Sequence, residues 1–223
     1  MKHARCLCIL FIALLSTTIA NAQSATLADE EDFQSWNDIQ LTVPITKHFD
    51  FQTQVALRFG NNVSRLNDAR YAIGFIWKPN KSLSFNPSYW HISARNSSGR
   101  FRTEHRLNLR AVYRFPIKKF GLSHRSTFEY RLRRPANSWR YRPSLTFEKD
   151  LPKRFIPGAR FYVTEEIFYD SLLKRFSRNR FTVGVSKTFS KQLSLDIYYM
   201  RQNDGFSRPG DLNVIGTSFK IRP

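Results

Sequence analysis

The sharpest chemical motif in this chain is His124-Arg125-Ser126. Residues two apart on a strand share a face, so the imidazole would stand beside the hydroxyl and could activate it for acyl transfer. No acidic or amide partner that would orient the histidine is evident, so only two parts of a three-part arrangement are in view. Glu165-Glu166 and Glu129 would suit glycosidase or metal chemistry. Adjacent strand residues point in opposite directions, however, so Glu165 and Glu166 cannot form a working carboxylate pair. The five histidines are scattered without metal-ligand spacing, and no Gly-rich phosphate loop is present. We therefore assign no catalytic residue, no metal ligand and no cofactor.

Arginine is the stronger signal. Arg102, Arg106, Arg110, Arg114, Arg125, Arg131, Arg133, Arg140, Arg142, Arg160, Arg178 and Arg180 fall in one alternating phase, together with Glu104, Glu129, Glu148 and Glu166. Two roles fit such a face. It is either an internal salt-bridge network filling a narrow lumen, or a path or binding site for anions. The candidate residues are Arg102, Glu104, Arg106, Arg110, Arg125, Glu129, Arg131, Arg133, Arg140, Arg142, Glu166 and Arg180.

The elements that carry this face read as strands. From Phe101 to Phe115 the odd positions include Leu107, Leu109, Ala111 and Tyr113, while the even positions include Arg102, Glu104, Arg106 and Arg110. From Leu122 the same alternation sets Phe128, Tyr130 and Leu132 against Arg125, Glu129 and Arg131. A turn at Pro116–Gly121 joins the two halves into a hairpin. Each half exceeds the roughly 5–6 residues common in soluble strands and fits the roughly 9–11 of a tilted membrane-spanning one. Nine further stretches alternate likewise: 34–45, 49–59, 70–78, 83–94, 139–149, 158–169, 178–189, 193–202 and 212–222. In 83–94 the apolar phase moves from Leu83, Phe85 and Tyr89 to Trp90 and Ile92, which predicts a bulge near Pro87.

These stretches predict an all-β, single antiparallel up-and-down transmembrane barrel of ten to twelve strands. Short turns at 46–48, 79–82, 116–121 and 190–192, with a slightly longer one at 149–157, alternate with longer, more polar loops at 60–68, 95–100, 134–138, 170–177 and 203–211, the pattern of an outer-membrane barrel whose longer loops face outside. Phe49, Trp77, Phe115, Phe147 and Phe189 lie toward one set of strand ends, and Phe59, Tyr71, Phe101, Trp139 and Tyr169 toward the other. Two such bands are expected at the two membrane boundaries. Backbone groups in lipid must be paired within the protein, so the sheet must close. A soluble lipocalin-like barrel would need an apolar inner face, which the arginine phase denies. Eleven strands is an odd count where single-chain bacterial barrels have even ones. Either the acidic leader adds a twelfth strand, or one stretch lies outside the barrel.

The ends and the composition agree with export. Lys2 and Arg5, the apolar run Cys6–Ile19 and Ala20-Asn21-Ala22 predict a Sec signal peptide over 1–22. An acidic leader follows over 23–33, then the barrel over 34–223. The only two cysteines fall in the signal, which excludes disulfide and thiol chemistry from the exported chain. The net charge of +19, two units of it from Lys2 and Arg5, calls for anionic partners. An exported chain rarely meets nucleic acid. Outer-membrane lipids and lipopolysaccharide, the barrel-assembly machinery and small anionic solutes are the expected partners in a Gram-negative outer membrane.

Five segments, WNDIQLTVPITKHFDFQTQVALRF, RTEHRLNLRAVYRF, TFEYRLRR, TEEIF and NRFTVGVSKTFSKQLSLDIYYM, resemble an uncharacterised family of bacterial outer-membrane proteins, the domain of unknown function 2490. The resemblance covers nearly all of the exported chain. It implies a barrel and an outer-membrane location and carries no known reaction, so no catalytic residue transfers. Many outer-membrane barrels end on an aromatic residue. Here Phe219 and Ile221 are in phase, but the chain closes on Arg222-Pro223. The expectation is a non-enzymatic outer-membrane barrel with an Arg/Glu-rich lumen. The alternative is an outer-membrane lipid hydrolase of phospholipase or lipid A deacylase type, using His124 and Ser126.

Overall fold

The computed structural model describes residues 31–223, apart from positions 97, 153 and 208. Eleven strands make up the described chain: β1 (Asp32–Pro44), β2 (Phe49–Gly60), β3 (Arg65–Trp77), β4 (Leu83–Arg95), β5 (Phe101–Arg114), β6 (Gly121–Leu132), β7 (Ser138–Asp150), β8 (Ala159–Asp170), β9 (Arg175–Thr188), β10 (Leu193–Asp204) and β11 (Leu212–Ile221). They run from 10 to 14 residues, long enough to cross a bilayer when tilted. Consecutive strands pair antiparallel, and β1 pairs parallel with β11 to close the barrel. All eleven predicted strands therefore belong to the wall, and none lies outside it. The predicted signal peptide and most of the acidic leader lie outside the described residues, while β1 begins at Asp32, two residues ahead of the expected start.

Alternation sets the two faces. Ile39, Ile73, Leu107, Leu109 and Ile197 stand mid-strand on the outer wall, each 50–54% exposed. A water-facing sheet would not present so much aliphatic surface, whereas lipid covers it at no cost. The aromatic bands flank them. Phe128, Trp139 and Tyr169 stack in sequence across β6–β8 at 5.7 and 5.4 Å, and Trp77 stacks on Phe85 at 5.5 Å toward the other end. The inner face holds the buried polar residues and one small apolar cluster, Trp36, Met200, Leu212 and Val214.

Two expectations are corrected. β4 has no bulge: its register runs unbroken from Leu83↔Tyr113 to Arg95↔Phe101 on β5. Pro87 faces outward in phase, and Trp90 and Ile92 turn into the lumen. The missing N–H of Pro87 would leave a β3 carbonyl without its partner. The Asn86 amide donates to the Phe75 carbonyl at 2.7 Å instead, so the strand continues. The loops are also not longer at one end. Connections at the rim that carries the C-terminus (45–48, 78–82, 115–120, 151–158, 189–192) span four to eight residues, and those at the opposite rim (61–64, 96–100, 133–137, 171–174, 205–211) span four to seven. Polar residues assigned to loops, such as Arg65, Asn67, Arg175 and Asp204, extend the strands, because a barrel rim needs ladder pairing more than it needs apolar side chains.

Candidate functional site

The inward-facing phase of β5, β6, β7, β8 and β9, even-numbered in all but β6, brings the predicted arginines and glutamates into one lumen network. Glu104 accepts from Nε and Nη2 of Arg131, each at 2.7 Å, and also from Arg106. Glu129 is 1% exposed, bonded to Arg142 and 3.6 Å from Nη1 of Arg106. Glu166 takes Nη2 of both Arg125 (2.8 Å) and Arg142 (2.9 Å), with Arg180 at 3.8 Å. Asp170 pairs with Arg140 at 2.7 Å and lies 3.8 Å from Arg131. Arg142 thus bridges two carboxylates, Arg106 bridges two, and Arg131 bridges two. Each strand supplies every second residue to the lumen, so acids and bases two strands apart meet across the narrow interior.

The members most deeply placed are Glu129, Arg131, Glu166 and Asp170, all at most 5% exposed. Charges buried to this depth persist only when paired. Guanidiniums also lie over aromatic faces, which adds cation–π attraction. Arg58 sits 3.4 Å above Trp36, and Arg142 and Arg180 sit 4.5 and 4.7 Å from Phe168. Arg180 donates to Gln202 at 2.9 Å.

Not every candidate joins. Arg102 stands exposed near the opposite rim, and Arg133 reaches Glu104 only at 4.0 Å. Arg110 faces the lumen without an ion pair among the described residues, and its Nε has no hydrogen-bond partner. Arg58, opposite Asp68 in the β2–β3 register, likewise forms no ion pair among the described residues. Trp36, Arg58, Asp68, Arg70, Phe168, Asp170 and Asp204 belong to the lumen and are missing from the sequence candidates. Phase was the available signal: Phe168 alternates with Glu166, and Trp36 with Asp38, so both are aromatics in the wet register.

His124 and Ser126 do form their bond, at 3.1 Å, but on the outer wall, where Ser126 also bonds the Tyr141 hydroxyl at 3.0 Å. Tyr113 and Leu145 flank His124 on the neighbouring strands, and no described carboxylate or amide bonds it. The pair lies in the half of β6 nearer the C-terminal rim. These features do not support the hydrolase alternative. Glu165 points outward as the alternation requires, and its one described bond is from Asn179 Nδ2 at 3.3 Å.

Among solved structures, the NanC porin in a rhombohedral crystal form aligns with a TM-score of 0.51 at 11% identity, covering 84% of this chain and 95% of that one. The KdgM porin aligns at 0.46 with 14% identity over 77% and 90% of the two chains. KdgM in complex with disordered oligogalacturonate aligns at 0.47 with 15% identity over 78% and 92%. At these identities the likeness to NanC speaks for the fold alone. No curated protein matches. A family profile described as a protein of unknown function, DUF2490, matches residues 33–213, nearly the whole barrel. The chain belongs to the DUF2490 family.

Proposed function

We propose that this chain is a non-enzymatic outer-membrane barrel whose lumen is a constricted passage for small anionic solutes. The observation that carries this reading is the pair of lumen arginines, Arg58 and Arg110, that form no ion pair with any carboxylate among the described residues and stand in an arginine-rich interior. A desolvated positive excess concentrates anions and repels cations. The wall is electrically uneven: most lumen guanidiniums stand on β5–β9, with Arg58 on β2 and Arg70 on β3, while the acids Asp38 and Asp196 lie on β1 and β10. A permeating anion would therefore follow the β5–β9 side.

Planar-bilayer recording tests this. The expected result is a small, anion-selective conductance whose selectivity falls in Arg58→Gln and Arg110→Gln. A cation-selective wild-type current would refute the passage. A second reading, a closed structural barrel, draws on the 1–5% exposure of the network's central members. It predicts no current from the wild type or from either arginine variant.

A further inference from the structure

Lysine is segregated along this barrel. Ten lysines lie among the described residues, and all but Lys174 stand at the C-terminal rim. Acids at that rim are consumed within the protein. Asp50 is held by Lys78 at 2.8 Å and Arg222 at 3.1 Å, Asp150 by Arg160 at 2.8 Å, and Asp196 by Lys220. Lys47, Lys81, Lys118, Lys119 and Lys191 remain exposed, with no ion pair to any described carboxylate. The rim is thus a ring of uncompensated ammonium groups.

Apolar side chains are interleaved with them. Ile45 is 57% exposed, Ile117 39%, Phe155 68% and Phe189 59%. Phe189 belongs to the aromatic band of Phe49, Trp77 and Phe147, Ile45 and Ile117 follow their strands in the outward phase, and Phe155 stands in the connection between β7 and β8 at the same rim. A cavity of about 370 Å³ opens between the β5–β6 turn and the strand ends of β7 and β8. Ile117 and Phe120 form part of its wall, Lys118, Lys119 and Lys149 line it as well, and its two acids, Glu148 and Asp150, are both paired with Arg160. Lys149 Nζ donates to the Lys119 carbonyl at 2.7 Å, which ties the two sides of the cavity together.

A purely soluble anionic partner would account for the lysines but not for Phe155 and Ile117 beside them. Cations with apolar neighbours at the level of a membrane boundary match an anionic headgroup above acyl chains. We propose that this rim is a docking surface for anionic phospholipids of the phosphatidylglycerol class, drawn from the leaflet that it meets. The proposal is independent of whether the lumen conducts.

The test uses the folded barrel, checked by heat-modifiable gel migration, in micelles with equal amounts of phosphatidylglycerol and phosphatidylcholine. Native mass spectrometry counts the lipids retained. We expect phosphatidylglycerol to be enriched, by roughly fivefold for each lysine engaged, and the enrichment to collapse in high salt. K47Q/K81Q/K118Q/K119Q/K191Q should retain both lipids equally, and K118Q/K119Q should show a partial loss should the larger set fail to fold. Equal retention by the wild type, or enrichment unchanged in the variants, would overturn the proposal. So would displacement of the lipid by inorganic phosphate at comparable concentration, which would make the site one for free anions. Preference for lipopolysaccharide over phosphatidylglycerol would overturn it too, by assigning the rim to the other leaflet.

Discussion

Glu129→Ala probes the lumen network at its most buried carboxylate. The side chain is 1% exposed and lies between Arg142 and Arg106, with Arg140 directly opposite on β7. Removing one partner of a buried ion pair typically costs about 3–5 kcal/mol, because the other charge is left without compensation. Here each guanidinium keeps a second carboxylate: Arg142 retains Glu166 at 2.9 Å, and Arg106 retains Glu104. The low end of the range, about 3 kcal/mol, therefore applies. That is roughly two orders of magnitude in the unfolding equilibrium. Glu129→Gln keeps the volume and one acceptor, and should lose about 1–2 kcal/mol. Urea titration of the barrel in lipid vesicles, followed by the fluorescence of Trp36 and Trp90 inside the lumen, reads both values. A Glu129→Ala barrel within about 0.5 kcal/mol of the wild type would refute the argument, since only surface changes are that mild. The network would then not be what holds the lumen in shape.

Glu165→Leu should stabilise the barrel. An outward carboxylate held by a single 3.3 Å amide bond is a cost in lipid, up to about 2 kcal/mol near the middle of a wall. The same urea titration measures it, and a destabilised variant would mean that Glu165 meets a partner in the membrane. His124→Ala and Ser126→Ala should leave lipid chemistry untouched. No fatty acid release is expected from phospholipid or lipid A with the wild type or either variant, and release that stops in both would return the acyl-transfer reading.

Much of this was visible in the sequence because a strand has a period of two. The phases of β5, β6, β7 and β9 turn the network arginines of those strands inward, since one wall meets lipid and tolerates few charges, while Arg58 on β2 and Arg70 on β3 were left out of the candidate set. The misreadings have local causes. In β4, Trp90 and Ile92 are apolar residues turned into the lumen, and they mimic a shift of register. Trp36, Phe168 and Val214 hide in the same way: an aromatic or aliphatic residue in the wet phase looks like noise until guanidiniums are seen stacked on the two rings. Which acid pairs with which arginine was out of reach. Glu166 on β8 bonds Arg125 on β6, with β7 lying between them, and such a contact depends on side-chain length and barrel width rather than on spacing along the chain.

The seam between β1 and β11 also dictates an order of events. Every other strand pair is a hairpin, whose partners find each other across a few residues of turn. The seam instead joins groups such as Thr217 and Asn37, which bond at 2.7 Å across 180 residues of chain. Loop-closure entropy makes such long-range contacts the slow step, so the ten hairpins can zip early and the latch must come last. Until then β1 and β11 both present open edges, which lipid cannot satisfy and a neighbouring chain can capture. Insertion and latching are therefore coupled: a chain halted before Leu212 would carry nearly all of its wall and still have no stable place in a membrane.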